Sequence, residues 1–254
     1  MMVLAQLSDI HLDGGSRADE RAARVMAYLE ALPTPVDVVL ATGDLADHGE
    51  LDEYRRAAEL LKSSSFPVFT CPGNHDRRSA YREALLGVPP SEEPVNEAHH
   101  VDGVLFALCD SSVPGKPEGF LSDETLEWLD RELTESEGPA FVCFHHPPVE
   151  LGIPAVDAMR QFGEERLAAV IERHPRVSAL LCGHAHTPAA TTFAGRPLLV
   201  APGVTSTTRL FFEPGGARGW ADGGPIDHDL PPMLSLHLLH DDGRLTTHHR
   251  VVTA

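Results

Sequence analysis

With 254 residues, 42% of them hydrophobic, the chain has apolar side chain enough for a substantial core, in one large domain or two small ones. A formal charge of −18 sets up a field that repels nucleic acids and anionic lipid headgroups, and no run of Lys or Arg offers a local basic patch against it. The apolar start lacks the basic leader of a secretory signal, no apolar stretch approaches a membrane span, and four cysteines scattered singly fit small buried residues in a reducing cytoplasm.

Taken in order, buried-strand patterns alternate with amphipathic ones. Residues 3–7 read as a strand delivering Asp9-Ile10-His11. A helix over about 18–32 follows, with Ala22, Val25, Met26 and Leu29 on one stripe and Pro33 and Pro35 as its stop. A strand over 36–41 leads to Gly43-Asp44, and a helix over 51–62 carries Leu51, Tyr54, Ala58 and Leu61 on one side. Residues 67–71 form a short strand that turns through Pro72 into Gly73-Asn74-His75-Asp76; a short helix near 79–86 and a proline-rich loop over 87–97 come next.

The Asp102-Gly103 pair marks a hairpin within 101–109, and Ser122 opens a helix that ends near Gly138. A strand over 140–144 delivers His145-His146, a helix covers about 163–173, and a strand over 179–182 delivers Gly183-His184-Ala185-His186. Beyond residue 190 the texture is short β segments at 191–193, 198–201, 205–212, 233–239 and 245–252, interrupted by a Gly/Pro-rich loop over 213–232. The terminal pair, turned by Asp241-Asp242-Gly243, predicts a β-hairpin over 233–254 whose His237, His240, His248 and His249 lie at the surface. The whole reads as an α/β fold in one domain over residues 1–254: a four-layer α/β/β/α sandwich of two mixed sheets flanked by helices.

Five of these strands end on side chains that bind metals, which points to one shared site at the carboxyl ends of the strands. In extended backbone, residues two apart face the same side, so Asp9 and His11 can grip one cation; His184 and His186, on a turn, can diverge to two. Asp44 can bridge two cations through its two oxygens, and Asn74 offers a neutral amide oxygen. With His145 these make seven candidate ligands. Imidazole, carboxylate and amide without thiolate suit Fe, Mn or Zn, and a pair of such ions is the usual clamp for displacement at phosphorus.

The set Asp-x-His, Gly-Asp, Gly-Asn-His-Asp, a strand-end His and Gly-His-x-His resembles the calcineurin-like metallophosphoesterase superfamily. With His145-His146-Pro147-Pro148, the chain is most similar to bacterial class III 3′,5′-cyclic-nucleotide phosphodiesterases and related glycerophosphodiesterases. The resemblance implies a dinuclear centre of divalent or mixed-valence transition ions. Asp9, His11 and His186 hold one, Asn74, His145 and His184 the other, Asp44 bridges, and a hydroxide shared by the two attacks phosphorus in line. It further implies that His75 faces the phosphate as donor or general acid, oriented by Asp47 or, in competition, by Asp76.

Adjacent strand residues point opposite ways, so His146 is expected near the substrate, alongside Asn74 and His75, or packed beneath it. Residues 153–159, 204–209 and 213–232 are candidates for the pocket wall. The expected substrate is a small phosphodiester, 3′,5′-cyclic AMP or another cyclic nucleotide. A glycerophosphodiester, a 2′,3′-cyclic nucleotide or a broad diester range is the alternative, and a non-catalytic binding scaffold the more distant one. No nucleic-acid partner and no membrane span are expected, and a homodimer through the terminal hairpin is open.

Overall fold

The computed structural model describes residues 1–62 and 64–253. In chain order its main strands are β1 (Met2–Leu7), β2 (Val38–Thr42), β3 (Val68–Cys71), β4 (Glu97–Val101), β5 (Val104–Leu108), β6 (Ala140–Cys143), β7 (Val177–Cys182), β8 (Ala189–Phe193), β9 (Arg196–Val200), β10 (Met233–Leu239) and β11 (Leu245–Val251). The long helices are α1 (Ser16–Glu30), α2 (Leu51–Lys62), α3 (Asp123–Glu135) and α4 (Glu164–Arg173).

Alternation of apolar side chains along the strands decides the layering. In β1 and β2, Leu4, Val38 and Leu40 face one apolar cluster, while Ala5, Leu7, Val39 and Ala41 face another that also holds Val25, Leu29, Tyr54 and Leu61 from α1 and α2. In β5, β6 and β7, Phe106, Phe141 and Leu181 enter the first cluster, whereas Leu105, Val142 and Leu180 pack with Leu129, Leu167 and Ile171 of α3 and α4. The shared cluster is the space between two sheets, and the other two lie under the helices. The result is the expected α/β/β/α sandwich.

The first sheet runs β11-β10-β1-β2-β3 and the second β8-β9-β7-β6-β5-β4. β1, β2 and β3 are parallel, as are β5, β6, β7 and β9, while the hairpin strands β10, β11, β4 and β8 are antiparallel additions. Ser122 caps α3 by accepting the Thr125 N–H at 3.1 Å, a contact worth about 1 kcal/mol.

Three expectations need correction. The helix near 79–86 is one α turn, Arg78–Tyr81, continued by a π turn, Arg82–Leu86. Within the segment expected to be a strand over 205–212, only Thr207–Thr208 pairs, with Ile226–Asp227 of the long loop. Its start is spent elsewhere: the Val204 and Thr205 N–H groups donate to the carbonyls of Ser8 and Asp9.

The third concerns His237, which is fully buried. Its Nε2–H donates to Gln6 Oε1 at 3.0 Å and its Nδ1 accepts from Thr247 Oγ1 at 2.8 Å. Gln6 in turn donates to Thr42 Oγ1 and across to the Cys182 carbonyl of the other sheet, at 3.0 and 2.9 Å. Burial, aided by His249, pushes the His237 imidazole down to about 3. An unfolded His titrates near 6.5, so stability from this group is complete above that pH. It falls by about 1.4 kcal/mol per pH unit as acid drives the unfolded state to take a proton the native state refuses. Urea midpoints of wild type and His237→Gln between pH 4 and 7 check this: the variant loses one proton's worth of slope, and parallel slopes would refute it.

Candidate metal centre

The donors sit on turns just past the strands, and the backbone there is unusual. Asp9, His11, Asp44, His184 and His186 have φ of 55°, 48°, 52°, 68° and 50°, in the left-handed region that side chains other than glycine avoid. Asp9 and His11 therefore do not converge by the extended-strand geometry expected from their spacing; two left-handed residues turn them inward. The turns run side by side, with Asp9 N–H on the Gly43 carbonyl at 3.1 Å and His11 N–H on the Asp44 carbonyl at 2.9 Å. Gly43, at φ 93°, and Gly73 make the approach possible. A Cβ on the first would lie 2.3 Å from His145 Nδ1, and on the second 2.2 Å from Asp44 Oδ1.

His145 Nε2 lies 3.2 Å from Asp44 Oδ2 and 3.9 Å from Asp9 Oδ1. His11 Nε2 is 3.5 Å from the same Asp44 Oδ2, and His186 Nε2 is 3.3 Å from Asp9 Oδ1. Asp44 thus stands between two groups. Asp9, His11 and His186 offer atoms within 4.8 Å of one another, as do His145, His146 and His184. His184 and His186 diverge, one to each group.

A cation pair fits these residues. Both Asp9 oxygens, Asn74 Oδ1 and the Nε2 atoms of His11, His145, His146 and His184 are buried with no hydrogen-bond partner among the described residues. Orphaned buried polar atoms are costly, and half of those among the described residues lie together here.

The opposite edges of the rings are held. His145 Nδ1–H donates to the Thr42 carbonyl at 2.8 Å, and His186 Nδ1 pairs with Ser206 Oγ at 2.7 Å. The carbonyl acceptor fixes the His145 tautomer, and both contacts aim Nε2.

Asp47 divides its work: its carboxylate takes His11 Nδ1 at 2.9 Å, and its backbone carbonyl accepts His75 Nδ1–H at 2.8 Å. Its carboxylate lies 3.5 Å from His75 Nδ1, farther than from His11. Among the described residues, the Asp76 carboxylate bonds to neither ring. Buried, it accepts the N–H groups of Gly73, Leu45 and Ala46 and the Tyr54 hydroxyl, tying the Asp44 turn to the Asn74 turn. His146 is fully enclosed, with Nδ1 on Ser111 Oγ at 2.8 Å and its ring 4.6 Å from that of His184. Its ring packs against those of His145 and His184, with Nε2 buried in the site.

Neighbouring surfaces account for the remaining expectations. Two cavities flank His75 and share it with Asp47. One of about 810 Å³ reaches Asn74, Arg77 and Lys116; one of about 280 Å³ reaches His11, His186 and Trp220. The long loop contributes to the second. Residues 153–159 border neither cavity, because Ile153 and Val156 are spent in the core under the helices.

Sequence reasoning missed Thr42, Ser111 and Ser206, whose only signal is a place beside a strand end. It also missed Asp110, buried and bonded to Arg78 Nε at 2.8 Å, although Asp110 ends β5 much as the donors end their strands.

Charge is crowded in this site. Burial alone would raise the Asp44 carboxyl, but His145, His11 and His75 outweigh it and hold it well below the usual range. Burial disfavours the His145 cation, yet Asp44 and Asp9 push its pKa up to about 9. Burial and the neighbouring His145 drive His184 down. A cation on His145 Nε2 must therefore displace a proton near neutral pH. Titration calorimetry of chelator-stripped protein with Zn at pH 7.5, in two buffers of different ionisation enthalpy, should report release of about one proton or more; identical heats in both buffers would contradict it.

A model of the calcineurin-like phosphoesterase family matches residues 2–188. Among curated proteins, a cAMP/cGMP dual specificity phosphodiesterase of Mycobacterium tuberculosis is 35% identical over 249 residues, covering 91% of this chain and 77% of that protein. A glycerophosphodiester phosphodiesterase of Enterobacter lignolyticus is 31% identical over 248 residues, covering 93% and 86%. Among solved structures, a dimetal phosphatase from Danio rerio superposes with a TM-score of 0.69 at 14% identity, covering 99% of this chain and 96% of that one, a likeness of fold. With a family match over most of its length, and relatives above 30% identity across nine-tenths of it, the chain belongs to the calcineurin-like phosphoesterase family.

Proposed function

We propose that this protein hydrolyses 3′,5′-cyclic AMP or a related cyclic nucleotide to the nucleoside monophosphate. That it is a metal-dependent phosphodiester hydrolase follows from its family and its phosphodiesterase relatives. The observation that carries the reading is the pair of donor groups meeting at Asp44, with unpartnered buried atoms aimed inward and His75 open to the adjoining cleft.

In this reading Asp9, His11 and His186 hold one cation, Asn74, His145 and His184 the other, and Asp44 both. Bound cations supply charge stabilisation for the phosphoryl oxygens and water acidic enough to attack near neutral pH. The chain supplies the rest. His75 is 41% exposed at its side chain, so it can meet a substrate. With Nδ1–H donating to the Asp47 carbonyl, its Nε2 is the free end, placed to hydrogen-bond a phosphoryl or leaving-group oxygen and, when protonated, to give that proton up. Asn74 adds no charge, which keeps the site more positive toward an anionic diester.

A glycerophosphodiester is the second reading. The two cavities beside His75 favour it, because an open diester has a substituent for each side and a cyclic one fills a single side. Kinetics with 3′,5′-cyclic AMP, 2′,3′-cyclic AMP and glycerophosphocholine, in Mn, Fe, Zn and Co separately, distinguish the two. The cyclic 3′,5′ substrate is expected to lead, and a thousandfold deficit against another natural diester would remove it.

Two substitutions separate catalysis from metal holding. His75→Ala should retain its metal by elemental analysis and lose about 10²–10⁴-fold in kcat. Asp47→Ala should weaken metal affinity by about 10–100-fold, since it frees His11 Nδ1 while leaving the backbone carbonyl on His75. The reverse pattern would exchange their roles.

A further inference from the structure

The smaller cavity, of about 280 Å³, opens beside His11, His75 and His186 and ends on Trp220 of the long loop. We propose that Trp220 is a stacking platform for a nucleobase, making this cavity the base subsite of the active site. The inference rests on the cyclic-nucleotide reading above and names the residue that recognises its base.

The wall is built, although the loop has no periodic pattern. Thr207–Thr208 pairs with Ile226–Asp227, and Arg209 is ion-paired to Asp227. The buried guanidinium of Arg21 donates to the Val204 carbonyl at 2.8 Å and the Leu230 carbonyl at 2.7 Å, fastening the loop's exit to the turn that bonds Asp9. Gly224 gives the indole its seat: a Cβ there would come within 3.1 Å of Trp220 Cε3. Trp220 nevertheless stays 54% exposed, so an aromatic surface is held in place and left open.

The cavity's chemistry matches a base better than a small polar alcohol. Trp220 and Ile226 offer apolar surface to the faces of a flat ring, and Arg17, 3.3 Å from His228 Nδ1, puts polar groups at its edge. The larger cavity is lined by Glu50, Arg77, Glu92 and Lys116 among others, and no Phe, Tyr or Trp among the described residues borders it. Of the two sides open to a substrate beside His75, the Trp220 side can stack a base. Stacking on an aromatic side chain contributes about 1–3 kcal/mol per base, or roughly 5- to 150-fold in affinity.

The test compares 5′-AMP with ribose 5-phosphate, which lacks only the base. The chain has two tryptophans, so in a Trp128→Phe background the fluorescence reports Trp220 alone. AMP should quench it and ribose 5-phosphate should not. As inhibitors of bis(p-nitrophenyl) phosphate hydrolysis, AMP should bind at least tenfold tighter than ribose 5-phosphate. Trp220→Ala should erase that ratio and Trp220→Phe should keep part of it. Equal affinities in the parent protein, or a preference that survives Trp220→Ala, overturns the subsite. The readout does not require cyclic AMP to be a substrate. An AMP preference without cyclic AMP turnover leaves the subsite standing and removes the cyclic substrate; turnover without the preference does the opposite.

Discussion

Asp9 and Asp44, 0% and 2% exposed, are two carboxylates taken almost wholly out of water, and the rest of the molecule adjusts to them. A buried anion must be met by charge or by hydrogen bonds, and among the described residues no hydrogen-bond donor meets the buried Asp9 oxygens. Imidazoles provide what compensation the chain itself can: His145 and His11 are pushed toward their charged forms against the pull of burial. A protonated ring is a poor substitute for a divalent ion, and the same nitrogens serve both. The site is thus a competition between protons and metals for one set of lone pairs.

Holding such a set together costs backbone energy. Five of the donor residues are left-handed at about 1–3 kcal/mol each, which is large beside the 5–15 kcal/mol by which a domain of this kind is stable. The surroundings offset it: apolar clusters on both sides of each sheet, the bonds between adjacent turns, and Asp76 pinning two turns from within the protein. Asp76 itself is raised to about 6 by burial and by Asp44, against the three N–H groups it accepts. Its work is structural, although it adjoins the catalytic candidate in sequence.

Much of the fold was legible because buried parallel strands are nearly continuous apolar runs, and each such run here ends on a polar motif. α2 begins and ends where its periodicity placed it. What escaped had physical reasons. The face of β10 that carries Ser235 and His237 alternates with leucines, which in an isolated hairpin reads as a solvent face; here that face lies between two sheets. Spacing could not reveal the left-handed turns, since two residues two apart converge either way. Nor could it divide Asp47, whose carboxylate and carbonyl serve different histidines. The loop over 213–232 gave no pattern because its order comes from ion pairs and carbonyl clamps between distant positions.

The donors are unequally owned by the two sheets. Asp9, His11, Asp44 and Asn74 follow strands of the first, and His145, His184 and His186 follow strands of the second. Any ion they share is a rivet through the seam of the sandwich. Its spacing depends on how the sheets are seated on each other, so a change at Phe106 or Leu40, in the apolar cluster between the layers, alters the reach between carboxylate and imidazole. Interior packing and metal geometry are then one mechanical system, and loosening the first will be felt in the second before the protein unfolds.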